Sequence, residues 1–214
     1  MARAPNPHLR DGLIQAATSV FAERGLAQAR VSDITERAGT SKGAFYLFFA
    51  SKEAAYVAIA RGFLDEVLGH LRCYDDAACA DLTPEGLAHI DARDAAFCDF
   101  LWHNRQRLAM VLEGAAGTQC AFMADEFLDS ILHTMRDSMT RHHALNPQLP
   151  MDPDFGAMLS AGLIFMYARR MIRAQTQPDL ATQIHQFREI TAHGLMHVAR
   201  SPRPVLAVQP EVQP

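Results

Sequence analysis

Few side chains in this chain are spaced for bond-making chemistry. His193 and His197 stand one helical turn apart in His193-Gly-Leu-Met-His197, a spacing that can hold a metal ion. The glutamate of a zinc-protease motif is absent, and a structural role is favoured. Four cysteines, Cys73, Cys79, Cys98 and Cys120, form no Cys-x-x-Cys pair. They read as free thiols; a thiol or metal sensor on the Cys73 to Cys79 stretch is the sharper alternative. His142 and His143 point to different faces near a helix end and read as solvated. No phosphate loop, GxSxG elbow or dinucleotide fingerprint is present. The sequence gives catalysis no support, and it implies no cofactor, catalytic residue or metal site.

The remaining chemistry is hydrogen bonding to nucleic acid, and it is concentrated between Ile34 and Glu53. Val31, Ile34 and Ala38 form one apolar stripe on a short helix. Gly39 follows, where a left-handed cap is expected. Thr40 and Ser41 suit the N-cap of the next helix. That helix carries Lys42, Gly43 and Ala44 early, and Phe45, Tyr46, Phe48 and Phe49 late. The first half is small and cationic, so its backbone can approach a groove closely. The aromatic half would hold the helix on its support. Lys42 can donate to guanine O6 and N7, and Ala44 can touch a thymine methyl. Thr40, Ser41, Tyr46 and Lys52 are placed to hold phosphates and set register. Lys52 at a helix start opposes the helix dipole, which is less odd if a phosphate lies nearby.

Residues 10 to 56 resemble the DNA-binding domain of the TetR family of transcriptional regulators. The resemblance rests on Ile14, Ala16-Ala17, Phe21, Glu23-Arg-Gly25, Val31, Ile34, Ala38-Gly-Thr-Ser-Lys-Gly-Ala-Phe-Tyr46, Phe49 and Ser51-Lys-Glu53. It covers about a quarter of the chain, and as one ordered string it is specific. Arg30 departs from the pattern: the family often has Thr here, capping the helix and touching phosphate. Arg30 can keep a phosphate contact through charge but cannot cap, so Ser32 could shift the helix start.

The chain has 214 residues and a net charge of −4. The sign looks wrong for a DNA binder until the charge is divided. Residues 1–53 hold seven Lys/Arg against five acids, a net of +2, and the remainder carries −6. Both lysines of the chain, Lys42 and Lys52, fall in the motif. The asymmetry has the sign expected of a DNA-binding head. Arg3 and Arg10 could add phosphate contacts. No apolar run approaches a membrane span, and the N-terminal stretch lacks the apolar core of a signal peptide. The reading is a cytoplasmic protein with no membrane partner.

Periodicity predicts an all-α fold. Helices are expected over about 8–24, through the motif, 51–72, 83–103, 105–115, 118–144, 153–176 and 178–200. Thr83-Pro84-Glu85 gives an N-cap followed by Pro at the first helical position. The division is a helix-turn-helix head over 1–53, a larger helical body over 54–200, and a tail over 201–214 that reads as disordered.

Two apolar stripes lie late in the chain. Phe155, Met158, Leu159, Gly162 and Met166 form one; Leu180, Ile184, Phe187, Thr191 and Val198 form the other. The resemblance implies that the two C-terminal helices of each subunit build a four-helix dimer interface. Internal packing is the bland alternative. In the middle of the chain, Leu87, Ile90, Asp94, Phe97 and Leu101 recur at helical spacing, so Asp94 interrupts an apolar stripe. Asp94 could anchor a ligand, or pair with Arg169 or Arg170. Together with Phe97 and Leu101, Trp102, Met110, Phe122, Met123, Phe127, Phe165 and Met166 supply aromatic and thioether surface for an adaptable cavity. Ordinary core packing is the alternative for each.

The resulting expectation is a homodimeric repressor of a palindromic operator, released by a small, largely hydrophobic effector. Two other readings stay open. One keeps the DNA scaffold but switches it by cysteine oxidation or metal. The other is a helical ligand-binding protein or enzyme whose head has lost DNA function.

Overall fold

The computed structural model describes residues 7–72, 83–145, 147, 151–187 and 189–190. Eight helices are assigned in chain order: α1 Pro7–Gln28, α2 Val31–Arg37, α3 Lys42–Tyr46, α4 Lys52–Arg72, α5 Pro84–His103, α6 Arg105–Glu113, α7 Phe122–Leu145 and α8 Pro153–Arg173. A further helical stretch covers residues 180–187, and no strand occurs among the described residues. The fold is all-α, as periodicity predicts.

Local chemistry sets most of the boundaries. Gly25 has φ 70° and ψ 160°, a kink that separates the body of α1 from its last residues. The expected stop at Gly25 is therefore a break within α1. Gly39 has φ 62° and turns the chain between α2 and α3, as only glycine does without strain. Thr83 caps α5 by accepting from the Gly86 amide at 3.3 Å, and Asp152 caps α8 by accepting from Phe155 at 2.9 Å. Helix α7 starts at Phe122, four residues later than expected. Gly117 takes φ 74°, and Thr118 Oγ1 accepts from the Cys120 amide while donating to the Ala115 carbonyl. Those bonds hold residues 115–120 in turns in place of a helical first turn.

Arg30 remains the cap position of α2, and Ser32 does not move it. The Arg30 side chain makes no cap bond. Its backbone amide donates to the Asp33 carboxylate at 3.2 Å, and its carbonyl accepts from the Asp33 amide at 3.0 Å. The third helical residue supplies the polar group that the cap residue lacks. Arg24 donates to the same carboxylate at 2.9 Å. Arg37 clamps Glu23 with two bonds of 2.6 and 2.7 Å, and those bonds hold the Glu23 carboxyl below its usual range. Both ion pairs tie α2 to α1.

One apolar core runs through the described chain, from Leu13 to Leu180. Within the head, Leu13, Phe21, Ile34 and Phe45 are fully buried, and Phe49 is nearly so. Each such side chain contributes roughly 1.5–3 kcal/mol by leaving water. Helix α4 joins head to body through Tyr56, Ile59, Phe63 and Val67 on one buried face.

Candidate nucleic-acid interface and ligand cavity

Helix α3 is short, and its orientation comes from its anchors. Phe45 and Phe49 are buried, with ring centroids 5.5 Å apart. Ser41 caps the helix, its hydroxyl accepting from the Ala44 amide at 3.1 Å. The opposite side faces outward: Ser41, Lys42, Gly43 and Tyr46 are exposed, with Thr40 and Ala44 half-buried. Tyr46 is 56% exposed while its ring meets Phe45 edge-on at 5.4 Å. Leu47, which sequence reasoning passed over, is 73% exposed. Its place between two aromatic anchors was the available signal.

Gly43 is informative because the fold does not require it. A Cβ at this position would meet only Ser41 Oγ, at 3.6 Å, an ordinary contact. The φ of Gly43 is not positive. Glycine costs a helix interior about 1 kcal/mol relative to alanine. A bare backbone here therefore suits an external surface that comes close.

Lys52 sits differently from the expectation. Its Nζ donates to the carbonyls of Leu26, Ala27 and Ala29 at 2.8, 3.2 and 2.9 Å. An ammonium has three protons, and here each has a backbone acceptor. In this conformation Lys52 is a bolt between the start of α4 and the end of α1, and its charge answers the carbonyl end of α1. The direct phosphate bond expected of it has no free proton. Arg24 and Arg30 share the surface groove beside it, so that groove is basic.

The body holds an apolar cavity of about 250 Å³ between α4, α5, α6, α7 and α8. Four of the ten expected ligand residues line it: Phe97, Leu101, Phe127 and Phe165. The other six do not. Met110 and Met123 are fully buried in the surrounding core. Trp102 carries the Arg105 guanidinium 4.3 Å above its ring. Phe122 and Met166 are exposed at 47% and 62%. Asp94 lies half-buried on α5 outside the wall, and the two arginines proposed for it turn elsewhere. Arg169 meets Glu113 at 3.7 Å and Arg170 reaches Gln183 at 3.4 Å. Among the wall residues that sequence reasoning missed are Val67, Leu108, Leu112, Leu128, Asp129, Ile131 and Ile164. The i, i+4 pair Phe127 and Ile131 was the legible clue.

Helix α6 connects this cavity to the head. Leu108 and Leu112 are cavity wall. Met110, between them, accepts from the buried Tyr56 hydroxyl at 2.7 Å, and burial raises the Tyr56 pKa. One turn later the Gly114 carbonyl accepts from the Leu26 amide at 2.6 Å.

The late stripes divide. On α8, Phe155, Met158 and Met166 are exposed at 54%, 60% and 62%; Gly162 is also exposed and Leu159 half-buried. Met158 and Gly162 also border the cavity. Leu180 is 1% exposed and belongs to the chain's own core, with Ile184 packed against that core. His185 meets Asp91 at 2.9 Å and Gln177 donates to Asp99 at 3.3 Å. These bonds draw residues 177–185 onto α5, so Leu180 turns inward and offers a partner no surface. Phe187 is half-buried. Thr191, Val198, Cys73, Cys79 and the His193 and His197 pair lie outside the described residues.

Cys98 and Cys120 are buried. Burial, with Asp94 and Asp179 nearby, pushes the Cys98 thiol up to about 11. Burial and then Glu53 raise Cys120. A raised pKa keeps a thiol protonated and unreactive, which counts against the thiol-switch reading at these two positions. Among the described residues no group of three or more His, Cys, Asp or Glu could hold a metal, and no helix is long and apolar enough to cross a membrane.

Residues 13–59, from the middle of α1 into α4, match the family described as bacterial regulatory proteins, tetR family. That segment is a domain of this family. Similar proteins include the HTH-type transcriptional activator FasR of Mycolicibacterium smegmatis, 31% identical over 111 residues, covering 52% of this chain and 48% of FasR. The HTH-type transcriptional repressor KstR2 of Rhodococcus jostii is 44% identical over 63 residues, covering 29% of this chain and 31% of KstR2. The matches thus span less than half the length of these curated relatives. Among solved structures, the complex of SmeT with triclosan has a TM-score of 0.70 at 21% identity, covering 95% of this chain and 100% of the other. That likeness shows that the fold extends through the helical body.

Proposed function

We propose that this chain is a tetR-family protein throughout, a dimeric transcriptional regulator that binds a palindromic operator and is released by a small, largely hydrophobic effector. The supporting observation is α3: Lys42, Gly43, Ala44 and Tyr46 face outward from a helix whose Phe45 and Phe49 are buried. In this reading Lys42 donates to base edges, while Thr40, Ser41, Tyr46 and Arg30 hold phosphates. Residues 1–53 act as the reading head and 54–200 as the effector and dimer body.

The exposed apolar face of α8, formed by Phe155, Met158, Gly162 and Met166 with Leu159 at its edge, supports pairing with a second copy. A two-fold dimer reads two half-sites in successive major grooves. The cavity between α4 and α8 supports the effector. Triclosan bound to SmeT shows that a protein of this fold accommodates a small molecule. FasR is named an activator and KstR2 a repressor; in the proposed cycle this chain represses. A ligand against Leu108 and Leu112 displaces α6, and the Gly114 to Leu26 bond carries that shift to α1. DNA release then follows from the ligand's preference for one conformer.

Selection of bound sequences from random duplex DNA tests the reading. The expected result is one enriched motif of two inverted half-sites. Enrichment of a single half-site removes the dimer. No enrichment even at low salt, where phosphate attraction is strongest, overturns DNA reading.

A further inference from the structure

We infer that the cavity of the body selects a lipophilic cation: an apolar chain or ring system ending in one positive charge, with a marked preference over the same molecule ending in a carboxylate. This rests on the effector reading above and specifies the ligand's charge. Sixteen residues line the cavity, and fifteen of them offer no charge or hydrogen-bonding side chain. The exception is Asp129 on α7, exposed at the rim.

The surrounding charges point the same way. The first turns of α7 read Phe122-Met-Ala-Asp-Glu-Phe-Leu-Asp129, with three acids and no base. Glu126 is matched by Arg61 at 3.1 Å, which leaves Asp125 and Asp129 to set the local sign. One cation beside the wall is Arg169, whose guanidinium lies 5.7 Å above the ring of Phe165. Arg169 meets Glu113 at 3.7 Å, so its charge is matched. A ligand carboxylate entering here would lose water and meet Asp129 as a like charge, with no donor on the wall to receive it. An ammonium at the rim keeps part of its hydration and gains the Asp129 carboxylate while its apolar body fills the interior. The interior, about 250 Å³, lies just under the low end of the roughly 300–1,000 Å³ usual for ligand sites. It therefore favours a single short chain or one small ring system.

Three probes of matched length test this on the full chain by calorimetric titration below their micelle concentrations: decyltrimethylammonium, 1-decanol and decanoate. The expected order of affinity is ammonium, then alcohol, then carboxylate, with steps on the order of fivefold for a partly solvated charge pair. In Asp129→Asn, the ammonium is expected to fall to the affinity of the alcohol while the alcohol is unchanged. Decanoate binding as tightly as the ammonium overturns the inference, as does an Asp129→Asn variant that keeps the preference. Failure of all three probes to bind overturns the effector reading of the cavity together with the inference. Binding of the alcohol without any charge preference overturns the inference alone.

Discussion

The Leu26 amide donates to the Gly114 carbonyl at 2.6 Å, joining the end of the first helix of the head to the end of a helix that walls the cavity. Gly25, beside it, brings its Cα so close that an added Cβ would stand 3.3 Å from the same carbonyl. Gly25 lets the two backbones touch, and Gly114 lets the chain close tightly on the last turn of α6. A Cβ on Gly114 would lie 2.5 Å from the Met110 carbonyl, closer than a real side chain sits. Gly114→Ala is therefore expected to shift the end of α6 and destabilise the fold by about 1–3 kcal/mol. Thermal unfolding measures the loss. A wild-type melting temperature would show that this junction tolerates movement.

Lys52 offers a test that separates a structural bolt from a phosphate contact. Lys52→Met removes three donors from the carbonyls of Leu26, Ala27 and Ala29 and is expected to cost about 1.5–3 kcal/mol. The slope of log affinity against log salt on operator DNA should stay unchanged. A slope reduced by about one unit would assign Lys52 to a phosphate after all.

Gly43→Ala should leave the isolated fold intact, with up to about 1 kcal/mol of added stability from helix propensity. Its Cβ meets nothing closer than 3.6 Å in the free protein. Operator affinity should nevertheless fall, because the added methyl occupies the space between α3 and the groove floor. Denaturant melts and operator titrations of the same preparation check the two halves. Unchanged affinity would mean that the backbone at Gly43 does not approach DNA.

Cys98 gives a pH dependence with a defined sign. Its thiol is held up to about 11 in the folded chain, above the usual 9. The folded state therefore keeps a proton that the unfolded state releases. This contribution is fully present below pH 9 and is lost as pH rises through about 11. Replacing Cys98 with Ala should flatten stability over that window relative to wild type. Parallel curves for the two proteins would place the thiol in a more solvated setting.

What the sequence made legible was local. The Gly39 turn, the Ser41 cap and the aromatic anchors of α3 depend on neighbours within a few residues, and each stands where expected. The cavity depends on which faces of five helices meet, and periodicity does not encode that. Met110 and Met123 share the chemistry of a ligand wall but turn into the core, while Leu108 and Leu112 flank Met110 and face the cavity. Leu180 matched an interface stripe, yet polar bonds from Gln177 and His185 hold its segment against α5. Lys52 carried the right charge for a phosphate, and only the fold shows three carbonyls 23 to 26 residues away converging on it.

The proposed function depends above all on the exposed face of α3 reading base sequence. Fluorescence anisotropy titration of the selected operator and of a random duplex, with wild type and Lys42→Ala, tests it most directly. Lys42→Ala is expected to lose about tenfold on the operator, within the roughly 1–3 kcal/mol of one base contact, and to change little on random DNA. Equal losses on both duplexes, or no loss on the operator, would contradict it.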